Sequence, residues 1–328
     1  MAKIVRFHET GGADVLRLEE VAETALAPDE VRIDVKALGL NRAEVAFRSG
    51  EYVMQPQLPS RLGYEAAGIV SAIGAGVSNV LPGDIVSVIP GFDFGRYGVY
   101  GETATVPAQW VTRHPVSLTF EQAAALWVQY LTAYGALVTF SQLRKGQSVM
   151  VTAASSSVGV AAIQIAKDIG ATVIATTRGA DKQDFLLEAG ADHVIISDEE
   201  DLVARAMAIT AGRGVDVAFD PVAGPFLEKL ANAAAFGGTV HIYGALLGEP
   251  GYPLFTALSK ALTVHAYTFF ELTSRPDKLS EAIAYISSAI QAGRLIPVID
   301  SVFTLDKIVD AHRYMESNRQ RGKIVVTT

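Results

Sequence analysis

Between residues 148 and 268 the chain alternates short apolar runs with helical stretches, and this rhythm limits the fold more than any other feature. The runs are rich in Val, Ile and Thr, and Gly170 and Gly190 end the first two helices. A helix between two strands can return the chain to the end of the sheet where the first strand began, so the two strands lie parallel. A tight turn, in contrast, joins antiparallel strands. The pattern therefore predicts an α/β domain with a doubly wound parallel sheet. The six predicted strands are 148–152, 172–177, 193–196, 215–219, 239–243 and 263–268.

The turn after the first of these strands carries small residues where a dinucleotide-binding loop needs them. Ala154, Ser156 and Gly159 occupy the three positions of the Rossmann-type glycine fingerprint. Small side chains let backbone N–H groups reach a pyrophosphate at a helix N-terminus, and serine hydroxyls add further donors. We therefore expect Ala154, Ser156, Ser157, Val158 and Gly159 to bind a dinucleotide. Since only one of the three positions is glycine, a tight turn without a ligand is the alternative.

The end of the second strand distinguishes the two nicotinamide cofactors. NAD-dependent enzymes place a carboxylate there to bind the ribose 2′-hydroxyl. This strand instead ends with Thr177 and Arg178, and Lys182 follows closely. The arginine fork suits a 2′-phosphate, which a carboxylate would repel. Thr177, Arg178 and Lys182 therefore predict NADPH as the cofactor, with a solvated basic pair beside Asp181 and Asp184 as the alternative.

The regions on either side of the parallel series have a different organisation. The first third holds six short β-rich runs broken by Gly and Pro, which predicts a small, barrel-like, mostly antiparallel domain. A capping box formed by Thr119 and Gln122 starts a helix where the rhythm changes. The tail adds two helices and two strands that do not extend the series. We expect three segments, 1–118, 119–268 and 269–328, with the last returning to the first domain.

Composition excludes several classes of function. The formal charge of −8 argues against nucleic acid as a partner, because an acidic surface repels phosphate. The chain has no cysteine, which rules out disulfides, thiolate nucleophiles and cysteine-built zinc sites. Two uncharged windows, 122–143 and 146–166, contain polar residues and fit buried elements better than membrane spans. The N-terminus lacks a signal-peptide pattern, so we expect a cytoplasmic protein that is not in the membrane.

Several motifs along the whole chain carry a resemblance to a known family. They include Gly39-Leu40-Asn41-Arg42-Ala43-Glu44, the stretch from Leu58 to Val70 containing Gly63-Tyr64-Glu65, Glu121-Gln122-Ala123-Ala124, Gly190-Ala191-Asp192 and Gly322-Lys323. The chain resembles the zinc-independent, zeta-crystallin-like quinone oxidoreductases of the medium-chain dehydrogenase/reductase superfamily. The resemblance implies a GroES-like, mostly antiparallel β-barrel domain beside the Rossmann-type domain.

The same resemblance bears on the metal. Zinc-dependent relatives bind the catalytic ion with a cysteine and with a histidine between glycine and glutamate. Here Asn41 and Tyr64 stand at those two positions, and the six histidines have no ligand spacing. We therefore expect no metal. Without a Lewis acid, a conjugated carbonyl accepts hydride more readily than a simple ketone.

The resemblance also implies site residues, each with a structural alternative. Asn41, Tyr52 and Tyr64 are the candidate hydrogen-bond donors to the substrate; Asn41 could instead hold a turn, and the two tyrosines could be packing residues. Thr132, Gly244 and Lys323 match cofactor-contacting positions, against a mid-helix threonine, a loop glycine and a solvated lysine. The expected walls of the substrate pocket, for which a buried aromatic cluster is the alternative, are Trp127, Tyr130, Tyr267 and Phe269. Glu44 and Arg48 are expected to form an i,i+4 ion pair with a structural role.

The predicted function is NADPH-dependent reduction of quinones or other α,β-unsaturated carbonyl compounds. Two alternatives stay open: an enoyl-thioester reductase of the same superfamily, and a non-catalytic NADPH-binding protein of the crystallin or RNA-associated kind. Relatives often form dimers through their nucleotide-binding domains. We therefore expect a homodimer, whose interface could use the apolar connection that holds Leu246, Leu247, Tyr252, Leu254 and Phe255.

Overall fold

A computed structural model describes residues 1–248 and 251–328. Its strands are β1 (Ala2–Phe7), β2 (Leu16–Val21), β3 (Glu30–Gly39), β4 (Glu65–Ile73), β5 (Ile85–Val88), β6 (Thr103–Pro107), β7 (Val111–Arg113), β8 (Ser148–Val151), β9 (Thr172–Thr177), β10 (His193–Ile196), β11 (Val215–Asp220), β12 (Ala234–Ile242), β13 (Thr263–Ala266), β14 (Ile299–Thr304) and β15 (Lys323–Thr327). Most follow the predicted strands to within one or two residues, whereas the short β7 was not predicted.

The helices are α1 (Arg42–Ser49), α2 (Phe94–Tyr97), α3 (Phe120–Ala124), α4 (Trp127–Tyr134), α5 (Ser157–Ile169), α6 (Gln183–Glu188), α7 (Leu202–Ile209), α8 (Phe226–Ala233), α9 (Leu254–Lys260), α10 (Phe270–Thr273), α11 (Pro276–Gln291) and α12 (Ile308–Glu316). A π-helical turn, Gly135–Phe140, follows α4. None of the described helices combines the length and the apolar character needed to cross a membrane.

One compact unit spans Gln129–Ile296 and contains the six-stranded sheet, in the order β10-β9-β8-β11-β12-β13. All five neighbouring pairs are parallel, which confirms the predicted doubly wound sheet. Apolar side chains of β8, β9, β10 and β11 pack against α7 and α8 in one fully buried cluster. From β8 the chain adds β9 and β10 on one side, and then adds β11, β12 and β13 on the other. At such a change of side, the carboxyl ends of the two central strands, here β8 and β11, are where doubly wound sheets bind ligands.

The other unit combines Met1–Val128 with Pro297–Thr328. Its main sheet runs β14-β15-β3-β4-β5-β7, with β6 also on β3, and every pair except β14–β15 is antiparallel. The strand pairs β14–β15 and β15–β3 attach the tail to the N-terminal part of the chain. The expected return of the tail is therefore present in the sheet itself.

The borders of these units differ from the segment borders that the sequence suggested at 118 and 268. The capping box is present as predicted: Thr119 N–H donates to Gln122 Oε1 at 3.0 Å, and Gln122 N–H donates to Thr119 Oγ1 at 3.3 Å. However, α3 packs on β3, β4 and β15, because Ala123 and Ala124 fit closely against Ala37, Ala67 and Val325. Similarly, α11 packs against α10 in the Rossmann-type unit.

Candidate active site

The turn between β8 and α5 has the geometry of an anion-binding helix N-terminus. The Oγ of Ser156 accepts the backbone N–H of Gly159 at 3.1 Å and so caps α5. The N–H groups of Ser157 and Val158 have no acceptor within the described residues, so two donors at this helix end are available to a ligand. A Cβ on Gly159 would lie 2.4 Å from the carbonyl oxygen of Ala154. The one glycine retained from the fingerprint is thus the position where helix and turn approach most closely.

The basic residues after β9 lie beside this turn. Lys182 Nζ donates to Ser155 Oγ at 3.1 Å, which joins the β9–α6 connection to the β8–α5 turn. Arg178 is exposed, and Thr177 at the strand end is buried with its hydroxyl bonded to Gly179 O at 3.3 Å. Two cations beside two free backbone donors, with no carboxylate ending β9, suit a dinucleotide that carries a 2′-phosphate. The residues present therefore fit NADPH.

A buried carboxylate lies at the carboxyl ends of β8 and β11. Asp220 accepts the hydroxyl of Thr152 and, at 2.7 Å, the backbone N–H of Ala223. Burial raises the pKa of Asp220, although these hydrogen bonds act in the opposite direction. Asp220 therefore holds the turn after β11. Gly244 lies on the next connection, where an added Cβ would sit 3.0 Å from the carbonyl oxygen of Pro221.

In the other unit, the structure brings Tyr52 and Tyr64 together as a phenol pair. Tyr64 is fully buried and packs on the ring of Phe94 with centroids 4.0 Å apart; Tyr52 is half-buried and meets the same ring edge-on at 6.0 Å. The two phenol groups influence each other: Tyr64 acts to lower the pKa of Tyr52, and Tyr52 acts to raise that of Tyr64. Burial raises the pKa of both phenols, so both keep their protons at neutral pH. Because Tyr64 is fully buried and Tyr52 is only half-buried, the Tyr52 hydroxyl is the one that a ligand can reach.

Asn41 belongs to a buried polar network that also contains Glu44, Glu65, Tyr100 and Lys323. Its Oδ1 accepts Lys323 Nζ at 2.7 Å, and its Nδ2 donates to Gly39 O and to Glu44 Oε1, each at 3.2 Å. Both amide hydrogens are thus engaged inside the protein. This is the arrangement expected if Asn41 holds the turn before α1, where it is the N-cap, rather than donating directly to a substrate.

Lys323 connects the two halves of this network. Its ammonium binds Glu65 and Asn41, and the side chain is only 1% exposed, so it is not the solvated lysine of the structural alternative. The second oxygen of Glu65 accepts the backbone N–H of Val128 at 3.0 Å. A contact between Lys323 and the cofactor stays a prediction.

The expected ion pair between Glu44 and Arg48 was wrong. Both residues lie on the buried face of α1, but Glu44 accepts hydrogen bonds from Asn41, Tyr64 and Tyr100, whereas Arg48 binds Glu316. The i,i+4 spacing places two side chains on one face without deciding their partners. A sequence signal for Glu44 did exist, since Asn41-x-x-Glu44 has the spacing of a capping box. Tyr100, 56 residues away, has no such signal.

The four aromatic residues expected to wall a substrate pocket are all buried. Trp127 Nε1 donates to Ser87 Oγ, and Tyr130 Oη donates to Gln164 Oε1, both at 2.7 Å. Tyr267 packs so closely on Gly135 that a Cβ there would lie 2.1 Å from its hydroxyl. These contacts fit the alternative of a buried aromatic cluster. It stays a prediction that a substrate pocket is lined by Trp127, Tyr130, Tyr267 and Phe269. Thr132, in the middle of α4, is also buried.

At the positions where zinc-dependent relatives have metal ligands, this chain has side chains that bind zinc poorly. Asn41 and Tyr64 replace cysteine and histidine; the Asn41 amide is engaged in hydrogen bonds, and the Tyr64 ring packs on Phe94. Over residues 1–248 and 251–328, no three His, Cys, Asp or Glu side chains converge as a metal site would require. The chemistry of the donor set therefore does not suit a catalytic zinc ion.

Comparison with known proteins places this geometry in a family. Residues 27–116 match the family "Alcohol dehydrogenase GroES-like domain", and residues 157–288 match "Zinc-binding dehydrogenase". Quinone oxidoreductase 1 of Escherichia coli is 33% identical over 98% of both chains. The synaptic vesicle membrane protein VAT-1 homolog of Rattus norvegicus is 33% identical over 96% of this chain and 81% of its own.

A solved structure shares the whole fold. The crystal structure of Escherichia coli quinone oxidoreductase complexed with NADPH superimposes with a TM-score of 0.92 and 31% identity, covering 99% of this chain and 100% of that one. The matched segment that carries the name "zinc-binding" contains no cysteine in this chain. The chain therefore belongs to the zinc-independent quinone oxidoreductase branch of the medium-chain dehydrogenase/reductase superfamily.

Proposed function

We propose that this chain, an NADPH-dependent oxidoreductase, reduces quinones or other α,β-unsaturated carbonyl compounds without zinc. The observation that carries the proposal is the phenol pair, which offers a protonated hydroxyl group where zinc-dependent relatives hold a metal ligand. NADPH, when bound, supplies the hydride for such a reduction. The cofactor residues that support the proposal are Thr132, Ala154, Ser156, Ser157, Val158, Gly159, Thr177, Arg178, Lys182, Gly244 and Lys323.

The phenol pair supplies what a conjugated acceptor needs from the protein. Charge that reaches the conjugated system collects on its carbonyl oxygen, and one or two hydrogen-bond donors can stabilise it. The O–H of the half-buried Tyr52 is the proposed donor, and Tyr64 supports it by packing on the same Phe94 ring. Because their pKa values are raised, both phenols act as hydrogen-bond donors rather than as bases at neutral pH. Asn41 acts by holding the start of α1 rather than by direct donation.

A substrate panel tests the proposal and separates it from its alternatives. Purified protein would be assayed for NADPH oxidation with quinones, enones, enoyl thioesters and simple ketones. We expect the highest kcat/KM with quinones or enones and little turnover of simple ketones. A preference for enoyl thioesters would favour the alternative reductase. Binding of NADPH, seen as a change in its fluorescence, without oxidation by any acceptor would contradict an enzymatic role.

We further propose that the chain forms a homodimer through the free edge of the six-stranded sheet. Within the described residues β13 has no neighbour on its outer side. Exposed apolar side chains lie on β12, on α9 and on the connections around β12 and β13, and Phe255 is 84% exposed. The members of this surface are Phe236, Leu246, Leu247, Tyr252, Leu254, Phe255 and Leu258. Exposed apolar side chains beside an open sheet edge suit a second copy, since a two-fold axis would pair both edges.

Substituting this apolar surface is expected to change the mass of the particle. Phe255→Asp combined with Leu258→Asp should convert a dimer into a monomer, because each copy would bury two unpaired charges. Sedimentation or light scattering at micromolar concentration measures the mass. Val116→Asp, at a 93% exposed valine in the other unit, is the matched control and should leave the mass unchanged. A monomeric wild-type protein, or a doubly substituted protein that stays dimeric, would refute this interface.

A further inference from the structure

Glu44 lies at the centre of the buried polar network. Its Oε2 accepts the backbone N–H of Asn41 at 2.6 Å and the hydroxyl of Tyr100. Its Oε1 accepts the Asn41 side-chain amide at 3.2 Å and the backbone N–H of Tyr64 at 3.0 Å. The side chain is fully buried, so water offers no replacement donor. Four donors around one carboxyl group favour the ionised form, because a carboxylate can only accept.

Burial acts against these hydrogen bonds. Desolvation raises the pKa of Glu44 to about 7, while the bonds from Tyr100 and Asn41 and the charge of Lys323 hold it down. The carboxyl group is therefore protonated below this value and ionised above it. Its charge changes within the pH range in which a reductase is assayed.

The contacts around Glu44 leave one place for an added proton. The N–H groups of Asn41 and Tyr64 are fixed donors and cannot become acceptors. The Tyr100 hydroxyl can rotate, so it alone can accept from a protonated Oε2. Protonation then removes the bond that Tyr100 donated and weakens the other three, because a neutral acceptor binds N–H groups less strongly than a carboxylate.

Two of the groups that Glu44 holds belong to the candidate site. Tyr64 is a member of the phenol pair, and its backbone is fixed by Glu44 Oε1. Asn41 is held between opposite charges, with Lys323 at its oxygen and Glu44 at its nitrogen. Tyr52 lies close enough for the charge of Glu44 to raise its pKa. A change at Glu44 is therefore transmitted to the hydroxyl that faces the ligand.

We propose that Glu44 is a positioning residue for the phenol pair: its carboxylate holds Tyr64 and Asn41 in place, and a proton added between Glu44 and Tyr100 loosens both. The inference rests on the proposed function, in which the phenol pair is the hydrogen-bond donor to the acceptor. Besides Tyr100, the titratable groups that face Glu44 are Lys323 and the phenols of Tyr52 and Tyr64. Burial raises the pKa of both phenols, so they keep their protons at neutral pH.

The pH dependence of turnover tests this role. In the wild-type protein, kcat for reduction of a quinone should rise as the pH increases through about 7, the pKa of Glu44. Glu44→Gln should abolish this rise and lower the plateau value of kcat by about tenfold. The glutamine NH₂ group would face groups that donate hydrogen bonds to Glu44, so those bonds would be lost. The KM for NADPH should change less than kcat, since of the proposed cofactor residues only Lys323 belongs to the network around Glu44. Glu51→Gln, at an exposed glutamate just beyond α1, is the matched control and should keep the wild-type profile.

A second variant keeps the test informative if Glu44→Gln folds poorly. Tyr100→Phe removes the one rotatable donor and retains the ring. Because the Tyr100 hydrogen bond lowers the pKa of Glu44, its loss should move the rise in kcat to higher pH, by about one unit. A rise that stays in place or moves to lower pH would overturn the proposal, as would a Glu44→Gln profile that keeps the wild-type rise.

An infrared titration separates this inference from the proposed function, since it needs no substrate. The band of a protonated carboxyl group should disappear from the wild-type spectrum as the pH increases through about 7. The same change should be absent from Glu44→Gln. If that difference between the two proteins is not found, the positioning role is wrong, whatever the enzyme reduces. If it is found but no quinone or enone is turned over, the proposed function fails and the inference fails with it.

Discussion

Replacing Arg178 by alanine is expected to raise the KM for NADPH by about 10- to 100-fold and to leave the KM for NADH within about twofold. The guanidinium is exposed at the end of β9, where a charge-assisted hydrogen bond to a 2′-phosphate contributes about 1.5–3 kcal/mol. NADH lacks that phosphate, so its binding loses nothing. Initial rates with each cofactor at a saturating acceptor concentration measure the two constants.

The matched control is Arg213→Ala, which removes an exposed arginine from the connection before β11. It removes one positive charge, as Arg178→Ala does, and should leave both Michaelis constants unchanged. A parallel increase for NADPH and NADH in Arg178→Ala would mean that the arginine binds a feature shared by both cofactors. An unchanged ratio of the KM values for NADPH and NADH would show that Arg178 does not bind the 2′-phosphate.

Tyr52→Phe is expected to lower kcat for quinone or enone reduction by about 100-fold, the range in which a positioned proton donor contributes. The substitution removes the one hydroxyl of the phenol pair whose ring is not fully buried. The KM for NADPH should change little, because the phenol pair is not part of the cofactor turn. Steady-state rates at several acceptor concentrations give kcat and both Michaelis constants.

Two further variants show whether the lower kcat of Tyr52→Phe comes from the loss of a hydrogen-bond donor or from a loss of stability. Tyr64→Phe should reduce kcat less, by about tenfold, because Tyr64 supports Tyr52 rather than facing the ligand. Tyr314→Phe removes a phenol hydroxyl from another half-buried ring of the same unit and should leave kcat unchanged. Wild-type activity in Tyr52→Phe would assign the donor role elsewhere, and an effect of Tyr314→Phe as large would show a loss of stability rather than of a donor.

Local signals predicted much of the fold. Gly170 ends α5 in the left-handed conformation with φ of 87°, as a glycine after a periodic helix should. The alternation of strands and helices was enough to predict six parallel strands, because crossover connections restrict the order in which they can pair. Short elements such as β7 were missed, since three residues carry too little periodicity to be recognised.

The candidate site was predictable only where neighbours in sequence form it. The turn from Ala154 to Gly159 and the cations after β9 follow from local pattern, and the contact between Lys182 and Ser155 brings the two segments together. The buried polar network depends on contacts over long separations, such as Lys323 with Asn41, 282 residues apart. Sequence spacing therefore paired Glu44 with Arg48, although tertiary packing gives each a different partner.

We propose that this chain transfers hydride from NADPH to a conjugated carbonyl with protein hydrogen-bond donors in place of a metal. The most direct test is NADPH oxidation by a quinone after exhaustive treatment with a chelator, with the metal content of the same sample measured. We expect full turnover from protein that contains less than about one metal ion per ten chains, and no stimulation by added Zn²⁺. Loss of turnover on chelation, restored by one equivalent of a divalent ion, would contradict it.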